Sequence, residues 1–311
     1  MKKIISLLIL VSISLIYGCD DIFEPDLSDK TVTINTPYDG MTTSQSTITF
    51  WWNEVKGADY YNIQIVSPGF MQTQQILADT NVEGDKFYFS LSPGSYQWRI
   101  RACNSGGNSN YQTYTLVIDS TEDLNTQTLL LVSPAANDTT NQTSFTFSWN
   151  GLYAADTYRF EIWSPAFGST NVYSSEISNT SIAYTLPEGK YEWGVRAQNS
   201  TSSSPYSKRI LVVDLTAPGT PTLVSPLNYA SLAEGYIGFQ WTRGTHSGSS
   251  VRDSIVVCSD STMTLPVLQA YCSNTTYGDT LNAGTYFWHV RSIDKAGNKS
   301  AYSVLRKLTV Y

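Results

Sequence analysis

One sequence motif occurs three times in this chain of 311 residues. The segment Leu-Ser-Pro-Gly-Ser-Tyr-Gln-Trp-Arg-Ile-Arg-Ala at 91–102 returns with the same Leu, Gly, Tyr, Trp and second Arg at 186–197 and at 281–292. Its tryptophan moves by 95 residues at each step, from Trp98 to Trp193 to Trp288. A repeat of this length corresponds to a complete small domain, so the sequence predicts three tandem domains.

A second motif occurs earlier in each repeat, as Phe50–Trp52, Phe147–Trp149 and Phe239–Trp241. The repeats are separated by short polar stretches. The second stretch, Asp214–Pro221, is rich in Pro and Gly, which is typical of a semi-rigid linker. We therefore place the three domains at residues 31–119, 128–214 and 219–311.

The side chains within each repeat alternate with a period of two. Tyr96, Trp98 and Ile100 share one face of the late motif, and the polar Gln97 and Arg99 lie on the other. Turns that contain Gly or Pro separate short segments of this kind. With aromatic residues at 13% and charged residues at 14%, the composition suits half-buried strands better than helices. The sequence predicts an all-β chain of β-sandwiches.

Phe-x-Trp on an early strand, followed by Leu-x-x-Gly-x-Tyr-x-Trp-x-Val-Arg-Ala on a late one, resembles the bacterial fibronectin type III domain. The resemblance covers roughly residues 31–311 and implies three tandem immunoglobulin-like β-sandwiches, with the first Trp of each repeat in the core. It also implies a tyrosine corner, a Tyr hydroxyl bonded back to the backbone, at Tyr96, Tyr191 and Tyr286. Because this fold hosts many unrelated roles, the function has to be argued from individual sites.

The first residues have the pattern of a targeting segment. Lys2 and Lys3 form a short positive region, and an apolar run follows over residues 4–16. A run of this length is typical of a signal peptide and is short for a membrane span. The residues before Cys19 resemble a lipobox, which implies removal of residues 1–18 and acylation of Cys19 as a membrane anchor. The alternative is an ordinary signal peptide followed by a chance cysteine.

Residues 19–30 are predicted to be a flexible tether, because they are acidic and contain Pro25. Acidic residues directly after a lipidated cysteine resemble the export signal of surface lipoproteins in polysaccharide-utilisation systems. This resemblance implies a protein of the outer membrane that is exposed at the cell surface. An aspartate beside the cysteine is also similar to an inner-membrane retention signal of other Gram-negative bacteria, and the periplasmic face stays open.

Three of the four cysteines follow Cys19. Cys258 and Cys272 belong to one repeat, on segments expected to be neighbouring strands. A disulfide between them is one prediction, and two free thiols are the other. Cys103 is predicted to be a lone, partly buried thiol. Cysteines spaced this widely do not form a zinc site.

The sequence argues against several classes of function. The formal charge is −7 and the pI is about 4.8, so the chain lacks the basic surface that nucleic acid requires. It contains no nucleophile elbow, metal-ligand motif or phosphate-binding loop, and its acidic residues are scattered through predicted turns. We predict a protein that is not an enzyme and that uses no cofactor or metal.

The candidate binding residues are aromatic. Trp51 alternates out of phase with Phe50 and Trp52, so we expect it to point outward, where it could stack on a sugar ring or anchor a protein contact. The Ser-Pro-x-Phe segments of the first two repeats and the residue before them add three further candidates: Phe70, Trp163 and Phe167. The competing explanation is ordinary packing, of Trp51 against a neighbouring repeat or a long loop and of the loop aromatics under a sheet edge.

Two functions follow from these observations. The first is a non-catalytic surface lipoprotein that binds polysaccharide or presents partner proteins in a glycan-uptake system. The alternative is an adhesin or envelope scaffold that binds surface proteins and has no affinity for carbohydrate. Both involve membrane attachment through Cys19, and neither involves nucleic acid.

Overall fold

The structure, a computed structural model, describes residues 25–311, and Cys19 with the predicted leader lies outside them. The chain divides into two compact units, the first extending to Asp119 without residues 45–47 and the second containing Ser120–Tyr311. The sheets form one β-sandwich before Asp119 and two after it, which confirms the predicted fold class. Within the described residues, no helix has the length and hydrophobicity needed to cross a bilayer.

The first sandwich packs a three-stranded sheet against a six-stranded one. One short 3-10 helix, Phe70–Gln72, interrupts its strands. Those strands are β1 Ile34–Thr36, β2 Met41–Thr43, β3 Thr47–Trp52, β4 Tyr60–Ser67, β5 Gln75–Val82, β6 Lys86–Ser90, β7 Gly94–Asn104, β8 Gly107–Asn108 and β9 Gln112–Ile118. The small sheet has the order β1-β3-β6, and the large sheet has the order β2-β9-β7-β4-β5, with β8 paired to β7.

The second and third sandwiches each pack a three-stranded sheet against a five-stranded one. The second contains β10 Leu131–Ser133, β11 Asp138–Thr140, β12 Ser144–Trp149, β13 Thr157–Ser164, β14 Thr170–Ile177, β15 Ser181–Thr185, β16 Gly189–Gln198 and β17 Ser207–Val213. Its sheets have the orders β10-β12-β15 and β11-β17-β16-β13-β14.

The third sandwich repeats this arrangement. It contains β18 Thr222–Ser225, β19 Ala230–Leu232, β20 Gly235–Thr242, β21 Val251–Cys258, β22 Pro266–Cys272, β23 Thr276–Leu281, β24 Gly284–Asp294 and β25 Arg306–Val310. Its sheets have the orders β18-β20-β23 and β19-β25-β24-β21-β22.

In every sandwich the chain leaves the small sheet at a proline. Pro37, Pro134 and Pro226 each directly follow the first strand of their sandwich. Because proline has no N–H to donate to the ladder, the strand ends there. The next strand pairs in parallel with the last strand of the large sheet, β2 with β9, β11 with β17 and β19 with β25.

Two tryptophans, one from each sheet, form the centre of every core. They are Trp52 and Trp98, Trp149 and Trp193, and Trp241 and Trp288, all at most 3% exposed. The second tryptophan of each pair meets a phenylalanine of the small sheet edge-on, as with Phe50 and Trp98 at 4.9 Å between ring centroids. Such a pair contributes about 0.5–1.5 kcal/mol beyond its burial. The core position implied for the first Trp of each repeat is therefore observed.

The tyrosine corner is present in all three sandwiches. The Tyr96 hydroxyl donates to the carbonyl of Ser92 at 2.7 Å. The equivalent bonds run from Tyr191 to Pro187 at 3.0 Å and from Tyr286 to Asn282 at 2.9 Å. Each bond joins the turn to the strand that follows it, as the resemblance to fibronectin type III domains implied.

The first sandwich begins earlier than the sequence predicted. Residues 19–30 were expected to form a tether, but Leu27 is only 1% exposed and packs in the core of this sandwich with Val32. The Pro25 carbonyl accepts a hydrogen bond from Asn104 Nδ2 at 2.8 Å. The tether prediction is therefore wrong for residues 25–30, because one buried leucine in a polar stretch is enough to hold the segment on the domain.

Of the two alternatives for Cys258 and Cys272, the structure has the free thiols, and the disulfide is wrong. The two residues lie on adjacent antiparallel strands, but Cys272 is opposite Asp253, while Cys258 is opposite Pro266. The thiols are therefore about five residues apart along the hairpin, or roughly 17 Å at 3.4 Å per residue. A disulfide needs Cα atoms within about 7 Å. Both thiols are free and buried, as is Cys103.

The third sandwich replaces an aromatic contact of the other two by a buried ion pair. In the first sandwich Tyr61 packs against Trp52 with 5.2 Å between ring centroids. The same register position in the third sandwich, opposite Ser292, is Asp253. Its carboxylate is fully buried and accepts hydrogen bonds from Trp241 Nε1 at 2.9 Å, Arg243 Nε at 2.8 Å and Ser292 Oγ at 2.6 Å.

Candidate functional site

Trp51 lies on the outer face of the small sheet of the first sandwich. It follows Phe50 and precedes Trp52 on β3, and both neighbours are fully buried in the core. Since side chains alternate along a strand, Trp51 points outward, and 40% of it is exposed. The expected outward orientation is therefore observed.

Two side chains from the neighbouring strand region hold the indole. Trp51 Nε1 donates a hydrogen bond to Asp85 Oδ2 at 3.0 Å. The Lys86 ammonium lies 5.1 Å from the centroid of the ring, in the range of a cation–π contact. The ring is thus oriented by a carboxylate and an ammonium that themselves face solvent.

A second exposed aromatic residue shares this face and was missed from the sequence. On β6, Phe87 and Phe89 pack against the core, so Lys86 and Tyr88 point outward. Tyr88 is 51% exposed. The alternation Lys-Phe-Tyr-Phe-Ser contained this signal, because two inward phenylalanines require the tyrosine between them to face solvent. We call Trp51, Asp85, Lys86 and Tyr88 the Trp51 platform.

Phe70 does not belong to this platform. It begins the short 3-10 helix after β4, and its N–H donates to Gln97 Oε1 at 2.9 Å. Its ring lies over the Arg99 guanidinium at 4.3 Å, and the ring of Tyr111 contacts the same guanidinium at 4.2 Å. Phe70 therefore packs on the outer face of the large sheet instead of presenting a free ring.

Phe167 has the same role in the second sandwich. Its N–H donates to Glu192 Oε2 at 2.7 Å, and its ring lies above Gly194 on β16. A Cβ added at Gly194 would be 2.9 Å from Phe167 Cζ, so the glycine provides the room that this ring occupies. Tyr206 contacts the ring at 5.1 Å between centroids. The loop thus folds back on the sheet.

Trp163 completes this packed group. Its Nε1 donates to Glu161 Oε2 at 3.0 Å, and its ring lies 5.6 Å from that of Phe167. The structure therefore brings Trp163 and Phe167 together, but places Trp51 on a different sheet of a different sandwich. The four predicted residues do not form one site.

The charges around Tyr206 are mutually satisfied. Burial, followed by the neighbouring Glu161 carboxylate, raises the pKa of Tyr206 to about 12. Burial opposes ionisation of Glu161, but hydrogen bonds from Trp163 and Arg159 outweigh it and hold the pKa of Glu161 below its usual value. These groups pair with one another, so they form a structural network and not a reactive centre.

An arginine stacked on a tyrosine recurs on the large sheet of every sandwich. The guanidinium lies over the ring in the pairs Arg101–Tyr111, Arg196–Tyr206 and Arg291–Tyr302, at 4.6, 5.2 and 4.7 Å. These are the last Arg of the repeated late strand and the Tyr that closes each repeat. The pairs are a repeated element of the fold, which explains why the tyrosine recurs at the end of each repeat.

Other candidate chemistry is sparse in the part of the chain that the structure describes. No three His, Cys, Asp or Glu side chains between residues 25 and 311 come together as a metal site would require. Asp294, whose turn contains Gly297, accepts the backbone N–H of Asn298 at 2.8 Å and its amide at 2.9 Å. This carboxylate therefore caps a turn.

No protein-family model and no curated protein matches the sequence. Among solved structures, the chain is similar to the FN1–FN3 domains of chicken CNTN1, with a TM-score of 0.45 and 17% identity over 90% of this chain and 97% of that one. It is also similar to fibronectin(III)-like modules of Clostridium thermocellum CbhA, with a TM-score of 0.40 and 16% identity over 59% of this chain and 94% of that one. A chicken tenascin segment of two fibronectin type III domains gives a TM-score of 0.23 and 16% identity over 59% of this chain and 98% of that one.

Proposed function

We propose that this protein is a non-catalytic surface lipoprotein that captures a glycan on the Trp51 platform of its first sandwich. In this proposal residues 1–18 are a signal peptide, and acyl chains on Cys19 hold the protein at the outer membrane with its domains exposed at the cell surface. The observation that carries the proposal is a half-exposed indole fixed on a rigid strand by Asp85 and Lys86.

The chemistry of the Trp51 platform suits a sugar. The C–H face of a pyranose packs on an aromatic ring, and its hydroxyl groups need donors and acceptors at the edge of that ring. Asp85 supplies an acceptor at the edge of the indole, and the Lys86 ammonium, which lies over the ring, supplies a donor. Tyr88 supplies a second ring on the same face. A site on a strand keeps this geometry without an ordering cost on binding.

The test is affinity electrophoresis of the full chain through gels that contain xyloglucan, galactomannan, laminarin, amylopectin or polygalacturonate. We expect at least one glycan to retard the protein and Trp51→Ala to lower the association constant for that glycan. Tyr38→Ala is the matched control, because Tyr38 is an exposed aromatic residue of the same sandwich outside the Trp51 platform. An association constant that Trp51→Ala leaves unchanged for every glycan that binds would refute this site, and a protein that no glycan retards would refute glycan capture.

One observation favours the alternative of a protein-binding scaffold. β22 is an edge strand of the third sandwich, and three of its outward or flanking residues are exposed and apolar or aromatic, namely Leu265, Val267 and Tyr271. An exposed edge with apolar side chains can accept a strand from another protein. A pull-down from envelope extract in which Val267→Lys abolishes capture of a partner, together with no glycan retardation, would support this function instead.

The anchor is tested independently of the ligand. Cells that express the full chain are labelled with radioactive palmitate, and Cys19→Ser is the control. We expect label in the wild-type protein only, and cleavage of the wild-type protein by protease added to intact cells. Equal label in both proteins would refute lipidation at Cys19, and protection from protease would refute exposure at the surface.

A further inference from the structure

A second exposed aromatic ring lies on the small sheet of the third sandwich. Tyr236 lies near the start of β20, and 76% of it is exposed. Its direct partner across the sheet is Thr280, and the next outward pair along the two strands is Gly238 opposite Gly278. Two glycines in register leave a stretch of this face without side chains.

Tyr236 lies across one of these glycines. A Cβ added at Gly278 would be 2.2 Å from the Tyr236 hydroxyl oxygen and 2.4 Å from its Cζ, closer than any real Cβ contact. The ring can therefore lie against the sheet because Gly278 has no side chain. Gly238, by contrast, has no atom within 4 Å of its Cβ position. The ring thus borders an open strip of backbone.

A groove of about 600 Å³ opens beside this ring, which is within the size range of small-ligand sites. Its lining is mainly apolar and includes Ala230, Leu232, Ala233, Tyr236, Ile237 and Gly238. Glu234 is the one charged residue of this lining, and its Oε2 is held in place by the Ala283 N–H at 3.0 Å. We call this surface the Tyr236 groove.

The charge of the Tyr236 groove limits its ligand. None of the residues that line it is basic, and the Arg306 guanidinium beside Pro226 is already bonded to the carbonyls of Leu223, Val224 and Pro226. A phosphate, sulfate or uronate would therefore meet the Glu234 carboxylate without a compensating cation from the lining. A neutral sugar avoids this penalty, because its hydroxyl groups can donate to Glu234 while its C–H face packs on Tyr236. The mainly apolar lining suits the same face of an adjoining sugar.

The fold alone does not create this surface. The second sandwich carries serine, threonine and alanine at the outward positions of the same two strands, with the pairs Ser144–Thr185, Thr146–Ala183 and Ser148–Ser181. It has neither the exposed ring nor the glycine pair. The Tyr236 groove is therefore a property of the third sandwich, as the Trp51 platform is of the first.

We propose that the Tyr236 groove is a second saccharide-binding site, specific for uncharged sugars, with Tyr236 as the stacking ring and Glu234 as the hydrogen-bond acceptor. The choice of a sugar rests in part on the proposed glycan capture, but the site uses residues that the Trp51 platform does not share.

The experiment measures the association constant of the full chain for each of the five polysaccharides by affinity electrophoresis. We expect Tyr236→Ala to lower the constant for a neutral glycan about tenfold, the change expected for loss of a central aromatic contact. Tyr236→Phe should keep the affinity, because the ring remains. Gly278→Val should lower it as Tyr236→Ala does, because the valine displaces the ring. Tyr153→Ala, which removes another largely exposed ring, in the second sandwich, is the control and should change nothing.

The outcomes separate this inference from the proposed function. Loss of binding in Trp51→Ala, with wild-type affinity in Tyr236→Ala, would overturn the second site and leave the proposed function intact. Loss in Tyr236→Ala with wild-type affinity in Trp51→Ala would support the second site and refute the first. Binding of polygalacturonate that depends on Tyr236 would overturn the restriction to uncharged sugars. No retardation by any glycan would overturn both.

Discussion

Removing the buried carboxylate of the third sandwich should destabilise that sandwich strongly. Asp253 has no exposed side-chain surface and accepts hydrogen bonds from three donors, the groups of Trp241, Arg243 and Ser292. Asp253→Ala leaves the indole N–H and the buried serine hydroxyl without this acceptor. It also leaves the Arg243 side chain, which is 29% exposed, without its counterion.

The size of the effect follows from these contacts. Removing one partner of a buried ion pair costs about 3–5 kcal/mol, because the remaining charge stays desolvated. Each buried neutral donor left without a partner costs about 1–3 kcal/mol. We therefore expect Asp253→Ala to lower the free energy of unfolding of this sandwich by about 3–5 kcal/mol. Arg243 keeps its bond to the Ser273 carbonyl at 2.6 Å, which favours the lower half of the range.

The assay is native-state hydrogen exchange, because a chain of three sandwiches need not unfold in one step. We expect the amides of β21 and β24 in Asp253→Ala to lose about two to three orders of magnitude of protection, at 1.4 kcal/mol per factor of ten. The amides of β13 and β16 in the second sandwich serve as the internal reference and should not change. Asp279→Ala, which removes an exposed carboxylate of the same sandwich, is the control and should cost less than about 0.5 kcal/mol.

A double variant separates the effect of the unpaired charge from the effect of the lost volume. Asp253→Leu with Arg243→Met removes both charges together, and we expect it to lose less protection than Asp253→Ala, because no charge stays buried without a partner. A loss below about 1 kcal/mol in Asp253→Ala would contradict the view that this network stabilises the core. Equal losses in the single and double variants would show that volume, and not charge, determines the effect.

Three further predictions concern other features of the fold. Leu27→Ala should lower the stability of the first sandwich by about 2–4 kcal/mol, measured by exchange of β4 and β7 amides, whereas a flexible tether would show no change. Gly194→Arg should displace the Phe167 ring and expose its loop to limited proteolysis, and an unchanged cleavage rate would refute the packing described for this ring. The difference titration between wild type and Tyr206→Phe should show ionisation of the phenol near pH 12, because burial and Glu161 raise its pKa. The stability that the neutral phenol contributes should therefore fall as the pH rises from about 10 towards 12. Ionisation near pH 10 would contradict this.

The start of the first sandwich and the state of the thiols could not be decided from the sequence alone. Residues 25–30 have the composition of a linker, and only the position of Leu27 in the core reveals that they are part of the domain. Cys258 and Cys272 lie on neighbouring strands, as their spacing indicated, but the hairpin register separates them. Register depends on the turn and on the packing of both faces, and the spacing between two cysteines does not encode it.

The candidate binding residues also include some whose orientation the sequence predicts and some whose orientation it does not. Trp51 was predicted to point outward because alternation along one strand is a local property. Tyr88 was readable by the same rule between its two phenylalanines. The positions of Phe70 and Phe167 could not be predicted by this rule, because their loops return to the sheet. Each ring then packs on a residue of another strand, Arg99 for Phe70 and Gly194 for Phe167.

The sequence by itself determined the number of sandwiches and the all-β fold, which depend on a period of two, on turn residues and on a repeat of about 95 residues, all visible along one chain. The core tryptophans and the tyrosine corners were implied by the resemblance of the repeated motifs to fibronectin type III domains. Only the tertiary structure decided which aromatic rings are free. That outcome depends on contacts across strands, as when Tyr236 lies on Gly278, and residues 42 positions apart are brought together by packing and not by any local pattern.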